Sequence, residues 1–147
     1  MKYQEMKMDL FSVDNSYYLA HCISADFKMG AGIATEFVRR FDTKNKLFKD
    51  YPDYLNDFVK TKIIGDCLLE DKVLNLITKE RYYYKPTYKS IKISLDKMKE
   101  ICIINDIKKV AMPLIGCGLD KLEWERVKSL LIAIFDDLDI EILVCKK

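Results

Sequence analysis

The chain has 147 residues, of which 50% are hydrophobic and 33% are charged. This balance is typical of a globular protein, and the length predicts one domain spanning residues 1–147 rather than a disordered chain. Lysine and arginine total 25 against 23 for aspartate and glutamate, so net charge does not indicate nucleic acid binding. No apolar run approaches the roughly 20 residues that cross a bilayer, and the polar N-terminus lacks a signal-peptide core.

The cysteines and the single histidine argue against a metal site or a disulfide framework. Five cysteines, an odd number, are widely spaced and include no CxxC pair. That pattern favours reduced thiols in a cytoplasmic protein, and one histidine further weakens a zinc site. We therefore expect no metal, no cofactor and no membrane partner, and nothing in the sequence requires more than a monomer.

In the first half of the chain, short apolar runs alternate with glycine-rich or polar turns. Polar and apolar residues alternate over residues 3–11, which predicts a half-buried first strand, and residues 17–23 predict a buried second strand. Helical spacing of apolar residues from Ile33 to Phe41 predicts the first helix. Residues 43–60 have loosely helical spacing interrupted by Pro52, which predicts two short helices, or a helix and a loop, in a surface excursion.

In the second half of the chain, the same patterns predict a strand hairpin followed by a helix, a strand, a helix and a closing strand. The predicted ranges are residues 63–69 and 72–78 for the hairpin, 87–105 for the helix, 108–112 for the strand, a helix opening at Glu123, and 140–145 for the last strand. Strands that alternate with helices predict an α/β sandwich whose mixed sheet is covered on both faces.

Two loops combine a preceding strand, a pair of glycines and a following helix. The first spans residues 24–32 and the second spans residues 113–120. Such loops offer backbone N–H groups and a helix N-terminus to an anionic ligand. Neither loop fits the dinucleotide or P-loop pattern, so tight turns remain an alternative for each. Asp120 in the second loop is a carboxylate available for chemistry beside a bound anion.

Three segments in order, AHCISADFKMGAGIA, LITKERYYYKPTY and MPLIGCGLDKLEWERV, together resemble the macrodomain superfamily. Within it they are similar to the branch of the terminal ADP-ribose protein glycohydrolase, whose relatives include the DNA-ADP-ribose hydrolase antitoxins. The resemblance implies a three-layer α/β/α sandwich with a mixed, mostly parallel sheet. It also implies that the two glycine loops hold the diphosphate of ADP-ribose.

This chain departs from the common macrodomain pattern at two positions that bear on mechanism. The usual NAAN segment reads His21-Cys22-Ile23-Ser24, and the acidic residue of the usual GGGVD loop is Ala34. Activation of water from that loop is therefore disfavoured. The glycohydrolase branch uses a lysine and an aspartate instead, and these match Lys79 and Asp120.

The resemblance implies that Lys79 attacks the anomeric carbon of the distal ribose and that Asp120 is the acid/base. Judged from the residues alone, Lys79 would be an exposed strand-end lysine and Asp120 a cap for the following segment. ADP-ribose contacts are implied at the following positions: Asp9, Leu10, Ser24, Asp26, Met29, Gly30, Ala31, Gly32, Ile33, Ile77, Thr78, Glu80, Pro113, Ile115, Gly116, Cys117, Gly118 and Leu119.

Two predicted site elements have two interpretations each. Asp26 either holds adenine or makes an Asx turn, and Tyr82–Tyr84 either wall the cleft or pack as a lid. His21 is predicted to be a satisfied structural histidine, Cys117 has no nucleophilic role, and Trp124 anchors the last helix.

The resemblance implies a hydrolase that removes mono-ADP-ribose from glutamate or aspartate side chains and deacylates O-acyl-ADP-ribose. Its expected partners are ADP-ribose and ADP-ribosylated protein. Removal of ADP-ribose from DNA bases is one alternative, and a non-catalytic ADP-ribose reader is another. The presence of both Lys79 and Asp120 disfavours the reader, which needs neither.

Overall fold

Six strands and five α-helices alternate along most of the chain in the computed structural model, which describes residues 1–147. They are β1 (Lys2–Lys7), β2 (Tyr18–Ser24), α1 (Ala34–Phe41), α2 (Thr43–Asp50), α3 (Tyr54–Thr61), β3 (Asp66–Glu70), β4 (Val73–Lys79), α4 (Tyr88–Ile104), β5 (Lys109–Met112), α5 (Trp124–Phe135) and β6 (Glu141–Lys146). None of the helices is both long and apolar enough to cross a membrane.

All six strands form one sheet in the order β1-β6-β5-β2-β4-β3. Every neighbouring pair is parallel except β3 with β4, which form the predicted hairpin. The sheet is therefore mixed and mostly parallel. Because five of the strands run the same way, their carboxyl ends lie along one edge of the sheet.

Side chains alternate between two cores, one on each face of the sheet. On β4, Leu74 and Leu76 face the core formed with α4 and α5, whereas Val73 and Ile77 face the core formed with α1, α2 and α3. A strand buried on both faces reads as a near-continuous apolar run, and residues 73–77 read this way except for the buried Asn75. The predicted three-layer α/β/α sandwich is confirmed.

The first strand is shorter than predicted, because β1 ends at Lys7 and a 3-10 turn follows at Leu10–Ser12. The Asp9 carboxylate accepts a hydrogen bond from the Phe11 N–H at 3.0 Å and caps this turn. A short polar side chain that binds a backbone N–H two residues on competes with strand pairing. The alternation of polar and apolar residues over residues 3–11 did not indicate that Asp9 would end the strand early.

Of the two alternatives for residues 43–60, the structure has two short helices rather than a helix and a loop, and the prediction that this segment is a surface excursion is wrong. Leu47, Tyr54 and Phe58 are buried in the core beside α1. The Tyr54 hydroxyl donates to the Asp66 carboxylate at 2.5 Å and so joins α3 to the start of β3. The many charged residues of this segment occupy the outer helix faces, which concealed its apolar stripes.

The first turn of α4 is fixed by a cap and by close contact with the chain before β3. Thr87 and Ser90 form a reciprocal capping box, which confirms the predicted helix start. The Ser94 hydroxyl donates to the Ile77 carbonyl at 2.7 Å. Gly65 lies against this turn, where a Cβ would be 2.6 Å from the Ser90 carbonyl oxygen.

We expect Gly65→Ala to lower the free energy of unfolding by about 1–3 kcal/mol, because the added methyl must push α4 away from the sheet. Urea denaturation should show a lower midpoint with an unchanged slope. Gly118→Ala is the matched control, since a Cβ there meets no atom within 4 Å. Equal midpoints for the two variants would contradict this account of Gly65.

Candidate functional site

A cleft of about 1150 Å³ opens at the edge of the sheet where the parallel strands end. Its walls are the loops after β2 and β5, with the 3-10 turn and the C-terminal residues on one side and the loop after β4 on the other. Open α/β sheets bind ligands at this edge. A cavity of this size accommodates a drug-sized or larger organic ligand.

The loop after β2 folds back on itself through residues in the left-handed region of backbone space. Phe27, Met29 and Gly32 have φ angles of 54°, 48° and 61°. The N–H groups of residues 29–33 donate no hydrogen bond to other backbone groups. They remain available for an anion at the start of α1.

The loop after β5 also contains a residue with positive φ and N–H groups that make no backbone hydrogen bond. Gly116 has a φ of 74°, and its carbonyl accepts from the Leu122 N–H at 2.8 Å, which closes the loop. The positive φ favours glycine at this position, and a Cβ there would be 3.1 Å from Leu122 Cδ1, so the Leu122 side chain would have to shift slightly. The N–H groups of residues 118–120 make no backbone hydrogen bond.

Lys79 and Asp120 form an ion pair across the cleft, with Nζ and Oδ1 2.9 Å apart. Their side chains are 15% and 20% exposed, so the pair is shielded from solvent yet reachable from the cleft. Lys79 is the last residue of β4, and its carbonyl accepts from the Ala25 N–H at 2.9 Å. Asp120 does not cap α5, whose cap residue is Glu123.

Asp26 joins the end of β2 and the loop after it to the loop after β4, and it does not line the cleft. One carboxylate oxygen accepts from the Ser24 hydroxyl at 2.5 Å and from the Lys28 N–H at 3.1 Å, and the other accepts from the Tyr82 N–H at 3.0 Å. The bond to Lys28 is the predicted Asx turn. Both oxygens are therefore engaged in holding the loop after β4 against the loop after β2.

Most of the residues predicted for ADP-ribose lie together in the cleft wall. Those that line it, besides Lys79 and Asp120, are Asp9, Leu10, Ser24, Met29, Gly30, Ala31, Gly32, Ile33, Pro113, Ile115, Gly116, Cys117, Gly118 and Leu119. Asp26, Ile77, Thr78 and Glu80 are not among the lining residues. Ile77 and Thr78 are buried in the sheet, and Glu80 pairs with Arg81 at 3.5 Å.

Sequence reasoning missed several residues that line the cleft. Cys22 lies in its floor, and Lys28, Arg40, Lys146 and Lys147 add positive charge to its walls. Cys22 stands one residue from the end of the buried run, which was a usable signal. The lysines and the arginine belong to mixed-charge surface segments, where no sequence pattern distinguishes them.

No protein-family model matches the chain. Curated relatives do: the chain is 39% identical over 140 residues to human ADP-ribose glycohydrolase OARD1, a match covering 95% of this chain and 88% of that protein. The bovine protein of the same name matches equally. The chain belongs to the macrodomain superfamily, in the branch of these glycohydrolases.

Solved structures agree with the fold of this macrodomain. It superposes on the macrodomain of Mycobacterium tuberculosis DarG with a TM-score of 0.79 at 23% identity, covering 97% of this chain and 96% of that one. The Thermus aquaticus DarG macrodomain gives 0.75 at 18% identity, covering 99% and 98%. At these identities the likeness supports the fold alone.

His21 is buried as predicted but only half satisfied. Its Nε2 lies 2.7 Å from the Asn75 Oδ1, its Nδ1 has no partner, and its ring stacks on Phe37 with centroids 3.8 Å apart. Burial lowers the pKa of His21 to about 4, against the opposing effect of the Asn75 hydrogen bond. A neutral imidazole packed on α1 is a structural group, and no charged group of the cleft reaches it.

The two thiols at the cleft are held in their protonated form. Burial, with the Asp120 carboxylate as a second cause, raises the pKa of Cys22 to about 12. Burial also raises the pKa of Cys117, whose Sγ donates to the Ile115 carbonyl at 3.3 Å. Because the thiolate is the nucleophilic form, neither thiol is held ready to attack a bound ligand.

We expect alkylation of Cys22 by iodoacetamide to be slow at pH 7 and to accelerate about tenfold per pH unit up to pH 9, because only the scarce thiolate reacts. Mass spectrometry of the native protein, with Cys22→Ser and Cys117→Ser to assign each signal, measures both thiols. A rate that levels off below pH 8 at either thiol would show a thiolate in the cleft and contradict this account.

Proposed function

We propose that this macrodomain is an ADP-ribose hydrolase that releases mono-ADP-ribose from glutamate and aspartate side chains and deacylates O-acyl-ADP-ribose. The observation that carries the proposal is the Lys79–Asp120 pair, 2.9 Å apart inside a cleft lined by two anion-binding loops. The name of its human relative, ADP-ribose glycohydrolase, supports the same ligand.

The strand order gives the ligand a direction along the sheet edge. Asp9 follows β1, the loop at 113–120 follows β5, the loop at 24–33 follows β2, and Lys79 ends β4. Four strand spacings of about 4.8 Å separate β1 from β4, or about 19 Å. That path suits an extended ligand with adenine near Asp9, the diphosphate on the two loops and the distal ribose at Lys79.

Lys79 must be a neutral amine to act as a nucleophile, and the Asp120 carboxylate can accept the proton that Lys79 must lose. In the ion pair the lysine is an ammonium without a lone pair. A ligand that covers the pair removes water, and a buried ion pair loses more solvation than a neutral one. Transfer of the proton from Lys79 to Asp120 then leaves an amine beside the distal ribose.

The reaction proceeds by displacement and hydrolysis. The Lys79 nitrogen bonds to the anomeric carbon while the bond from that carbon to the carboxylate oxygen of the carrier breaks, so the carrier leaves with both bonding electrons. The ribose ring opens to a Schiff base on Lys79. By then Asp120 has given the proton that it took from Lys79 to the departing carboxylate, and one proton of the attached nitrogen has passed to the ring oxygen. The Asp120 carboxylate next takes a proton from the water that adds to the imine carbon and returns it to the nitrogen. Collapse of this adduct frees ADP-ribose and Lys79.

The alanine at position 34 supports this route over water activation from the first loop. Ala34 is the first residue of α1 and lines the cleft. It offers no carboxylate where the common macrodomain pattern has one, so the carboxylate in contact with Lys79 is that of Asp120. A simple ADP-ribose reader would bind through the two loops and would not need the pair.

We expect Lys79→Arg to lower the rate of ADP-ribose release from a glutamyl-ADP-ribosylated peptide by roughly a thousandfold or more, because arginine keeps the charge but is not a nucleophile. Binding of free ADP-ribose by calorimetry should change only severalfold. Lys89→Ala, an exposed lysine on α4, is the control and should retain wild-type rates.

The same assay compares O-acetyl-ADP-ribose and ADP-ribosylated single-stranded DNA as substrates. Full activity of Lys79→Arg would exclude the lysine nucleophile. Release from DNA with none from the peptide would replace the protein substrate by the nucleic acid one. Tight ADP-ribose binding with no release from any substrate would identify a reader.

A further inference from the structure

The loop after β4 presents three consecutive exposed tyrosines at the mouth of the cleft. Tyr82, Tyr83 and Tyr84 are 54%, 64% and 46% exposed, and all three line the cleft. Adjacent exposed aromatic side chains are uncommon on a free surface and are enriched where proteins meet a partner. The core of this fold does not use them, since each leaves about half its surface in solvent.

The backbone holds this tyrosine loop in place. The Tyr82 N–H donates to Asp26 and the Tyr84 N–H donates to the Arg81 carbonyl, each at 3.0 Å. Neighbouring rings pack edge to face, with centroids 5.1 Å and 5.0 Å apart. A surface that is already ordered loses little conformational entropy when a partner binds.

Two unpaired cations flank the tyrosines. Lys28 Nζ lies 5.6 Å from the centre of the Tyr82 ring, and Lys85 follows Tyr84 directly. Neither lysine has a carboxylate within 4 Å, whereas Lys79 and Lys146 of the same cleft are both in ion pairs. The uncompensated charge at this side of the cleft favours an anionic partner.

The position of this surface determines what can reach it. Tyr82 is three residues beyond Lys79, at the end of the cleft farthest along the sheet from Asp9. Whatever is bonded to the distal ribose at Lys79 leaves the cleft on this side. The tyrosine loop therefore faces the carrier of the modification rather than ADP-ribose itself.

We propose that Tyr82–Tyr84, together with Lys28 and Lys85, form a docking surface for the polypeptide carrier and select acidic residues next to the modified side chain. We call this surface the tyrosine patch. The inference rests on the proposed function, because it takes the carrier to be a protein. Tyrosine faces and hydroxyls contact the peptide, and the two lysines contact its flanking carboxylates.

The ring geometry favours a peptide over a nucleic acid strand. Tyr82 and Tyr83 lie at 87° to each other, and Tyr83 and Tyr84 lie at 83°. Successive bases stack on aromatic faces along a basic groove, whereas here each ring turns an edge toward its neighbour. Such a mixed surface of edges, faces and hydroxyls resembles the tyrosine-rich surfaces that bind polypeptides.

The test is a binding measurement that needs no turnover. Two peptides carry ADP-ribose on a linkage that cannot be hydrolysed, one flanked by aspartate and glutamate and the other by lysine and arginine. Calorimetry compares both with free ADP-ribose at low and high salt. We expect the acidic peptide to bind wild type about tenfold more tightly than the basic one, with the difference shrinking as salt rises.

Two variants and a matched control locate the preference. Lys85→Glu should reverse it, and Tyr83→Ser should weaken both peptides about fivefold, while free ADP-ribose binds both variants as it binds wild type. Lys89→Glu makes the same charge change on an exposed residue of α4 and should leave the preference unchanged.

Several outcomes would overturn the tyrosine patch as a peptide surface. They are equal affinity for the two peptides, an equal effect of Lys85→Glu and Lys89→Glu, and loss of free ADP-ribose binding in Tyr83→Ser. Tighter binding of an ADP-ribosylated oligonucleotide, lost in Tyr83→Ser, would assign the surface to nucleic acid. A preserved acidic preference in a protein that hydrolyses nothing would retain the patch and refute only the proposed function.

Discussion

The parallel pairing of β2 with β4, and the irregularity at its end, is the constraint on which the site depends. The register runs from Leu19 with Val73 to Ile23 with Ile77, and then shifts so that Ser24 pairs with Lys79. Thr78 is the additional residue. Irregularities of this kind occur beside active sites, where they redirect a side chain and end the pairing, and here the shift falls at the two residues that deliver a glycine loop and the lysine.

Two side-chain contacts hold the loops around the cleft in fixed relative positions. The Asp26 carboxylate ties the loop after β2 to the tyrosine loop, and the Lys79–Asp120 pair ties β4 to the loop after β5. The left-handed residues Met29 and Gly116 turn the backbone so that free N–H groups remain on both loops. The N–H groups available to an anion and the Lys79–Asp120 pair therefore lie in the same cleft.

The sequence predicted the strands and helices well wherever apolar residues repeat locally, as in residues 73–77 and in α5. It failed where a side chain competes with the pattern, as Asp9 does at the end of β1, and where charged outer faces conceal apolar stripes, as around Leu47 and Phe58. Strand order is a matter of pairing between distant segments, so local patterns did not supply it. The contact between Lys79 and Asp120, 41 residues apart, was expected only through the family resemblance. The loop-holding role of Asp26 needed the structure, because its Tyr82 partner is 56 residues away in the sequence.

The central claim is that Lys79 forms a covalent bond to the distal ribose and that Asp120 is needed to release it. The most direct measurement treats Asp120→Ala with a glutamyl-ADP-ribosylated peptide and a mild hydride reductant, then locates the modified residue by mass spectrometry. Without the Asp120 carboxylate, Lys79 must lose its proton to solvent, so the adduct forms more slowly than in wild type. Over a long incubation our account predicts reduced ADP-ribose attached to Lys79, and no attachment when Lys79→Arg is combined with Asp120→Ala. Absence of any adduct under conditions in which wild type releases ADP-ribose, or attachment at another residue, would contradict it.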